Sequence, residues 1–112
     1  LLQGNMASAR QLALAWSELF PQRFYIEVQR AGHSQEESYI AAAVALAGET
    51  ALPVVATHPV QFMEADDFKA HEARVCISEG YILADKRRPK HFTADQHFRT
   101  QAEMSALFAD MP

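Results

Sequence analysis

The stretch that decides the fold runs from Leu52 to Glu79 and reads LPVVATHPVQFMEADDFKAHEARVCISE. Its first part, Leu52 to Thr57, is an unbroken apolar run, which is typical of a strand covered on both faces of a parallel sheet. A helix is predicted from about Phe68 to Glu79, because an aspartate can cap its start and Gly80 can close it in a left-handed conformation. The loop between strand and helix lies where α/β proteins usually place their chemistry.

Upstream of this stretch the pattern predicts a second strand and a connecting helix. Residues from Arg23 to Gln29 alternate between apolar and polar side chains, which is the period of a half-buried strand. Ser34 and Glu37 have the spacing of a capping box, so a helix is predicted from there to about Glu49. Strand, helix and strand of these lengths predict a parallel βαβ unit.

Helices are also predicted on either side of this unit. At the amino end, helical spacing places four large apolar side chains on one stripe of a helix from about residue 6 to residue 20. These side chains are Leu12, Trp16, Leu19 and Phe20. At the carboxyl end, Thr100 and Glu103 have capping-box spacing and predict a short terminal helix. Two parallel strands alone leave unpaired edges, so the pattern predicts a piece of a larger sheet.

Composition narrows the class of protein. The 112 residues are 49% hydrophobic and 21% charged, as in an ordinary globular domain, and the net charge of -4 argues against a stand-alone DNA-binding module. The basic run Lys86 to Lys90 is either a solvated loop or a phosphate or partner contact. Cys76 is the single cysteine, which excludes an intrachain disulfide and predicts a small buried apolar residue. No apolar run approaches the ~20 residues that span a bilayer, and a cytoplasmic location is expected.

Five separated blocks of the sequence carry a resemblance to a known family. The blocks are Phe24–Gln29, Pro53–Thr57, Asp67–Val75, Arg87–Pro89 and Thr100–Pro112. In order and spacing they resemble the PHP (polymerase and histidinol phosphatase) domain at the amino end of the bacterial replicative DNA polymerase III alpha subunit, a C-family polymerase. The resemblance implies an α/β fold, a distorted (β/α)7 PHP-type barrel. Residues 1–112 would form about the second half of this barrel, as a partial PHP domain without a complete second domain.

The resemblance also implies metal-binding positions, and three of them carry side chains that are poor ligands. Metal-bearing members read Asp-His-Gly where residues 30–32 of this chain read Arg-Ala-Gly, and Thr-Asn-Asp-x-His where residues 57–61 read Thr-His-Pro-Val-Gln. Ala31 and Pro59 therefore replace a histidine and an aspartate, and Gln61 replaces a second histidine. Alanine and proline side chains cannot ligate, and a glutamine amide is a weak ligand for zinc or manganese. We expect neither a metal nor a catalytic residue in this segment.

Three titratable residues remain as candidates at the predicted barrel mouth. His58, at the carboxyl end of a strand, is either a ligand or base or else a loop histidine held by hydrogen bonds. His71 lies early in a helix without HExxH spacing, so packing or a tie to the neighbouring loop competes with a functional role. Glu27 belongs either to a polar network or to a catalytic site, because a buried carboxylate needs a partner.

Two functions follow from the resemblance. The first is a non-catalytic scaffold within a replicative DNA polymerase, with a docking surface for the proofreading exonuclease subunit. The parent would be a DNA-directed DNA polymerase, a nucleotidyltransferase that contacts DNA through other domains. The alternative is a metal-dependent phosphoesterase or 3′–5′ exonuclease of the PHP superfamily, and only this alternative requires a divalent cation as cofactor.

Overall fold

The computed structural model describes residues 1–111 as a mixed α/β chain. Within these residues, in chain order, lie α1 (Met6–Leu19), β1 (Ile26–Gln29), α2 (Glu36–Thr50), β2 (Val54–Thr57), a 3₁₀ helix (Ala65–Asp67), α3 (Phe68–Glu79) and α4 (Gln101–Leu107). They form two compact units. Unit 1 comprises Leu1–Arg30 and Ser34–Thr57, and unit 2 comprises Ala31–His33 and the residues from His58 onward.

The predicted parallel βαβ unit is confirmed in unit 1. β1 and β2 pair in parallel, with Ile26 opposite Val54 and Gln29 opposite Thr57. The described residues contain this one sheet, and it has two strands. Two strands are compatible with a fragment of a barrel but do not define one, so the PHP-type barrel stays a prediction.

The core of unit 1 lies between β1 and α2. Ile26 and Val28, which alternate with exposed side chains, are buried, and α2 contributes four buried apolar residues. These are Ile40, Ala43, Leu46 and Ala47. Two of the four are alanines, whose small side chains let a helix approach a sheet closely.

The expectation that β2 is covered on both faces is wrong for this chain. Val54, Val55 and Ala56 are all exposed, because β2 pairs with β1 on one edge and α2 packs over β1 instead. An unbroken apolar run therefore indicated what the strand can bury but not what covers it. Most of β2 therefore stays exposed within unit 1.

Helix α1 forms where predicted, but its large apolar stripe is not its buried face. The buried residue of α1 is Ala13, and α1 contacts α2. The stripe of Leu12, Trp16, Leu19 and Phe20 is exposed, and the rings of Trp16 and Phe20 stack with centroids 5.7 Å apart. Periodicity thus predicted the helix correctly, but the apolar stripe is not the face that α1 buries.

The start of α2 differs from the predicted capping box. Gln35 occupies the N-cap without a side-chain hydrogen bond. The carboxylate of Glu37 instead accepts two hydrogen bonds from the Arg30 guanidinium, at 2.8 and 3.0 Å. A bidentate charge-assisted pair is stronger than a bond to one backbone amide, which explains why the capping box does not form.

The remaining helix signals are largely confirmed. Gly80 closes α3 at φ 75°, in the predicted left-handed conformation, and Thr100 caps α4 through the predicted capping box with Glu103. The predicted aspartate cap of α3 is wrong, because the Asp67 carboxylate accepts from the Glu64 amide at 3.0 Å and so caps the preceding 3₁₀ helix.

Cys76 is buried, as predicted. No helix within residues 1–111 combines the length and apolarity that crossing a bilayer requires.

Candidate functional site

The candidate residues divide between the two units. Glu27 lies on β1 in unit 1, whereas Ala31, His58, Pro59, Gln61 and His71 lie in unit 2.

In unit 1, Glu27 belongs to an exposed polar network at the carboxyl ends of the two strands. Its Oε1 accepts a hydrogen bond from Thr57 Oγ1 at 2.5 Å and one from Gln29 Nε2 at 3.3 Å. Gln29 Nε2 also donates to Thr57 Oγ1 at 3.0 Å. The parallel register brings these side chains together, since Gln29 lies opposite Thr57. Glu27 is thus an exposed carboxylate whose bonds link neighbouring strands.

In unit 2, the three positions with poor ligands are joined to one segment through main-chain atoms. The carbonyl oxygen of Ala31 accepts a short hydrogen bond from Thr93 Oγ1. The carbonyl oxygen of Pro59 accepts from Gln96 Nε2 at 3.1 Å, and the amide of Gln61 donates to the Gln96 carbonyl oxygen at 2.8 Å. Direct hydrogen bonds to residues 93–96 therefore connect all three positions.

Gln96 is the centre of this arrangement. Its side chain is buried, with 4% of the residue exposed, and both ends of the amide are bonded. Nε2 donates to Pro59, as above, and Oε1 accepts from the Thr93 amide at 2.9 Å. A buried amide needs such partners, because leaving either end unpaired costs free energy. Residues 94 and 95 form a turn, and the role of Gln96 as a cross-link was not predicted from the sequence.

Two further features hold the 93–98 segment in place. Phe62 and His97 form an isolated parallel bridge, and the Phe98 amide donates to the Phe62 carbonyl oxygen at 3.0 Å. Gly32, at φ 82°, allows a close approach, since a Cβ built there would lie 2.7 Å from Asp95 Oδ2. Any side chain at position 32 would therefore push the Asp95 carboxylate away.

His58 is held by a main-chain carbonyl group. Its Nε2 lies 2.7 Å from the Asp95 carbonyl oxygen, and because a carbonyl oxygen only accepts, Nε2 carries the proton. In the neutral imidazole the lone pair is then on Nδ1, which is buried and has no hydrogen-bond partner among the described residues. Arg99 Nη2 donates to the same carbonyl oxygen at 3.4 Å and to Asp95 Oδ1 at 3.3 Å. Residues 1–111 contain no group of three or more His, Cys, Asp and Glu side chains that could hold a metal ion.

His71 lies in an aromatic environment. Only 6% of the residue is exposed, and its ring lies 4.7 Å from the Phe92 ring in a perpendicular arrangement and 5.4 Å from the Phe62 ring. Burial lowers the pKa of His71 below its ordinary value of 6.5, and the Arg74 guanidinium lowers it further, while Glu72 partly opposes the shift. His71 Nδ1 lies 3.4 Å from Arg74 Nη2. A neutral, packed imidazole is the form that this environment favours.

The neighbouring Glu72 ties the basic loop to α3. Its Oε1 accepts from Arg88 Nη2 at 2.7 Å, with both side chains largely covered, and Arg88 Nε donates to the Leu83 carbonyl oxygen at 3.3 Å. Arg87 forms a second pair with Asp85, at 2.9 Å, and its hydrogen bonds lower the pKa of the Asp85 carboxyl group. Two of the four cations between residues 86 and 90 therefore serve the loop's own structure.

These observations define the class of the chain: a mixed α/β segment that contains a parallel βαβ unit and a loop-rich unit whose distant residues are joined by main-chain hydrogen bonds. No family model matches the sequence. The chain is 48% identical over 112 residues to DNA polymerase III subunit alpha of Pseudomonas aeruginosa, 51% over 113 residues to that of Neisseria meningitidis serogroup B, and 46% over 112 residues to that of Escherichia coli K12.

Each of these alignments includes the whole chain and 10% of the relative. The chain thus spans about a tenth of the length of the curated relatives it matches, and it is homologous to one segment of DNA polymerase III subunit alpha. The resemblance inferred from the residues is confirmed at the level of this subunit. The assignment of the segment to a PHP domain stays a prediction.

Proposed function

We propose that this segment is a non-catalytic scaffold of the PHP type within the alpha subunit of a replicative DNA polymerase. The observation that supports this function is the bonding of Ala31, Pro59 and Gln61. Each of these positions is joined to residues 93–96 by a main-chain atom, in the place where metal-bearing relatives would offer side-chain ligands.

The coordination chemistry supports a scaffold. Hydrolysis of a phosphate ester by closely spaced metal ions requires ligands that hold both ions and a water between them. A methyl group and a pyrrolidine ring at positions 31 and 59 offer no lone pair, and a carboxamide at position 61 is a weak ligand. Hydrogen bonds to residues 93–96 then hold positions 31, 59 and 61 in place, as metal ions would in relatives with intact ligands.

The wider role follows from the similarity to the alpha subunit over the full chain. In this role the segment stabilises the polymerase and provides a docking surface for the proofreading exonuclease subunit in the cytoplasm. The parent's nucleotidyl transfer, and its contacts with DNA, belong to other parts of the polypeptide. Exposed apolar side chains in both units are consistent with surfaces that a partner or the parent chain covers.

One observation favours the alternative, a metal-dependent phosphoesterase. The Nδ1 atom of His58 is buried and has no hydrogen-bond partner among residues 1–111. A lone pair on a neutral imidazole is a good ligand for zinc or manganese. A single histidine is not a binuclear site, however, so the alternative requires ligands that these residues do not supply.

The test uses the intact natural polypeptide, purified without chelators. We expect no stoichiometric zinc or manganese by plasma mass spectrometry and no chelator-sensitive hydrolysis of p-nitrophenyl phosphate. We also expect co-elution with the exonuclease subunit of the same organism in size-exclusion chromatography. Metal bound at one or more ions per chain, together with hydrolysis that His58→Ala abolishes, would establish the phosphoesterase instead.

A further inference from the structure

The stretch from Tyr81 to Phe92, which we call the strap, is joined to α3 by side chains. It contains no helix or strand. Within residues 1–111, the main-chain hydrogen bonds of residues 82–92 stay inside the strap, as from the Asp85 amide to the Ile82 carbonyl oxygen at 3.0 Å. Apart from its two covalent ends and the Tyr81 amide at the exit of α3, the strap therefore depends on side-chain contacts.

Two contacts fasten the strap to adjacent residues of α3. Arg88 Nη2 donates to Glu72 Oε1 at 2.7 Å, and the two side chains are 11% and 19% exposed. The ring of Phe92 lies 4.7 Å from the ring of His71, at an interplanar angle of 88°. A largely covered ion pair and a ring contact thus act on neighbouring positions of one helix.

The packing between the strap and α3 leaves a gap. A cavity of about 420 Å³ is lined by Phe92 and by four residues of α3, which are Arg74, Val75, Ser78 and Glu79. A gap removes dispersion contacts from the atoms that line it. The segment after the strap is held differently, because main-chain hydrogen bonds of 2.8 and 3.0 Å join residues 96 and 98 to residues 61 and 62. The strap should therefore open at a lower free energy than that segment.

The hydrogen bonding of His71 favours a neutral imidazole while the strap is closed. Arg74 Nη2 lies 3.4 Å from His71 Nδ1, and because a guanidinium only donates, Nδ1 carries the lone pair. Nε2 then carries the proton, and it is buried without a hydrogen-bond partner among residues 1–111. A second proton, at Nδ1, would face the Arg74 cation, and the N–H at Nε2 would stay buried and unpaired.

Among residues 1–111, the charged groups that shift the pKa of His71 are both on α3. Burial is the largest cause that lowers this pKa, the Arg74 guanidinium lowers it further, and Glu72 opposes the shift. The rings that pack on the imidazole, Phe62 and Phe92, carry no charge. Because Phe92 belongs to the strap, its departure would admit water to the imidazole and remove part of the burial.

We infer that the strap is a pH-sensitive conformational device, which opens as one unit at Arg88 and Phe92 and whose opening is coupled to protonation of His71. In the open state water reaches both ring nitrogens, so acidification favours opening, with at most one proton taken up. His91 acts in the opposite direction, since a protonated His91 would attract Glu79. That pair spans 3.9 Å between partly exposed side chains and is worth little, so the effect of His71 prevails.

The thiol of Cys76 reports the opening. Cys76 is 5% exposed and lies four residues after Glu72, on the same side of α3. The pKa of the Arg88 guanidinium is raised chiefly by its hydrogen bond to Glu72 and also by Cys76, so the thiol lies close to this ion pair. The experiment measures the rate at which dithiodipyridine labels Cys76 in the intact natural polypeptide, by peptide mass spectrometry. Division by the rate of an unstructured peptide of the same sequence gives the open fraction.

We expect the corrected rate to rise about three- to tenfold as the pH falls from about 7.5 to about 5.5, because one proton sets the upper limit. His71→Leu, or His71→Phe where leucine disturbs the fold, should abolish this rise. Arg88→Gln should raise the rate about tenfold at both pH values and leave the rise intact. Arg87→Gln is the matched control and should change nothing, because Arg87 is 88% exposed and pairs with Asp85 inside the strap.

Each contrary result overturns a stated part of the inference. Protection of the Gln61 amide from hydrogen exchange reports the segment after the strap, and its loss together with labelling of Cys76 would show that unit 2 opens as a whole. A corrected rate that is independent of pH, or a rise that persists in the His71 variants, would exclude the proton coupling. Equal rates in wild type and Arg88→Gln, or no labelling at either pH, would show that the strap does not open as inferred.

Discussion

The two units of the chain are stabilised in different ways. Unit 1 consists mainly of regular helices and strands, yet it leaves the apolar stripe of α1 and most of β2 exposed. Unit 2 has long irregular stretches, yet side-chain and main-chain hydrogen bonds join residues 31, 59 and 61 to residues 93–96. The difference teaches that regular secondary structure and hydrogen bonding between residues distant in sequence are separate properties of a chain.

The largest effect is expected from Gln96→Leu in unit 2. This change removes the partner of the Pro59 carbonyl oxygen and of the Thr93 amide, and a partly buried group without a partner costs free energy. We expect the free energy of opening residues 58–63 to fall by about 2–3 kcal/mol. Hydrogen–deuterium exchange of the Gln61 amide measures it, and Gln101→Leu, an exposed glutamine, is the control. Unchanged protection at Gln61 would show that the cross-link is not stabilising.

The next effect contrasts the two strands of unit 1. Val28 is fully buried on β1 and Val54 is exposed on β2, so the same substitution by alanine tests burial alone. Val28→Ala should lower the free energy of unfolding by about 1.5–2.5 kcal/mol, and Val54→Ala by less than about 0.5 kcal/mol. Urea denaturation of the intact natural polypeptide measures both. Similar losses at both positions would mean that β2 is covered by structure outside these contacts.

The smallest effect concerns the pH dependence of unit 2. Because the pKa of folded His71 lies below 6.5, the unfolded chain takes up a proton more readily than the folded chain as the pH falls. The contribution of His71 to the free energy of unfolding should therefore be constant above about pH 6.5 and decrease below it. His71→Leu should remove this part of the pH dependence in denaturation curves between pH 7.5 and 5.5. Identical pH slopes in wild type and variant would contradict the neutral, packed imidazole.

The sequence predicted the regular elements well because each depends on local chemistry. Three of the predicted features depend on a few neighbouring residues, and all three are found. They are the strand within the alternating residues 23–29, the left-handed Gly80 and the capping box at Thr100. The buried face of α1 could not be predicted, because helical spacing shows which side chains can share a face and not which face meets α2. The capping box at Ser34 failed because Arg30 competes for Glu37.

The cross-link in unit 2 could not be predicted in the same way. Its bonds join residues separated by 37 positions, from Pro59 to Gln96, and by 62 positions, from Ala31 to Thr93. At positions 31 and 59 the main-chain carbonyl oxygen accepts the hydrogen bond. Because every residue has such an oxygen, the identity of the side chain there does not predict the bond. The sequence singled out Ala31, Pro59 and Gln61 as positions whose side chains ligate poorly or not at all, and the loss of a metal site there stays a prediction.

The most direct test of the central claim is anomalous diffraction from crystals of the intact natural polypeptide grown in manganese chloride. The account predicts no anomalous peak beside Ala31, Pro59 and Gln61, and electron density for direct hydrogen bonds from these positions to Thr93 and Gln96. A manganese peak at about 2.2 Å from His58 Nδ1, a coordination distance, with residues 93–96 displaced, would contradict it.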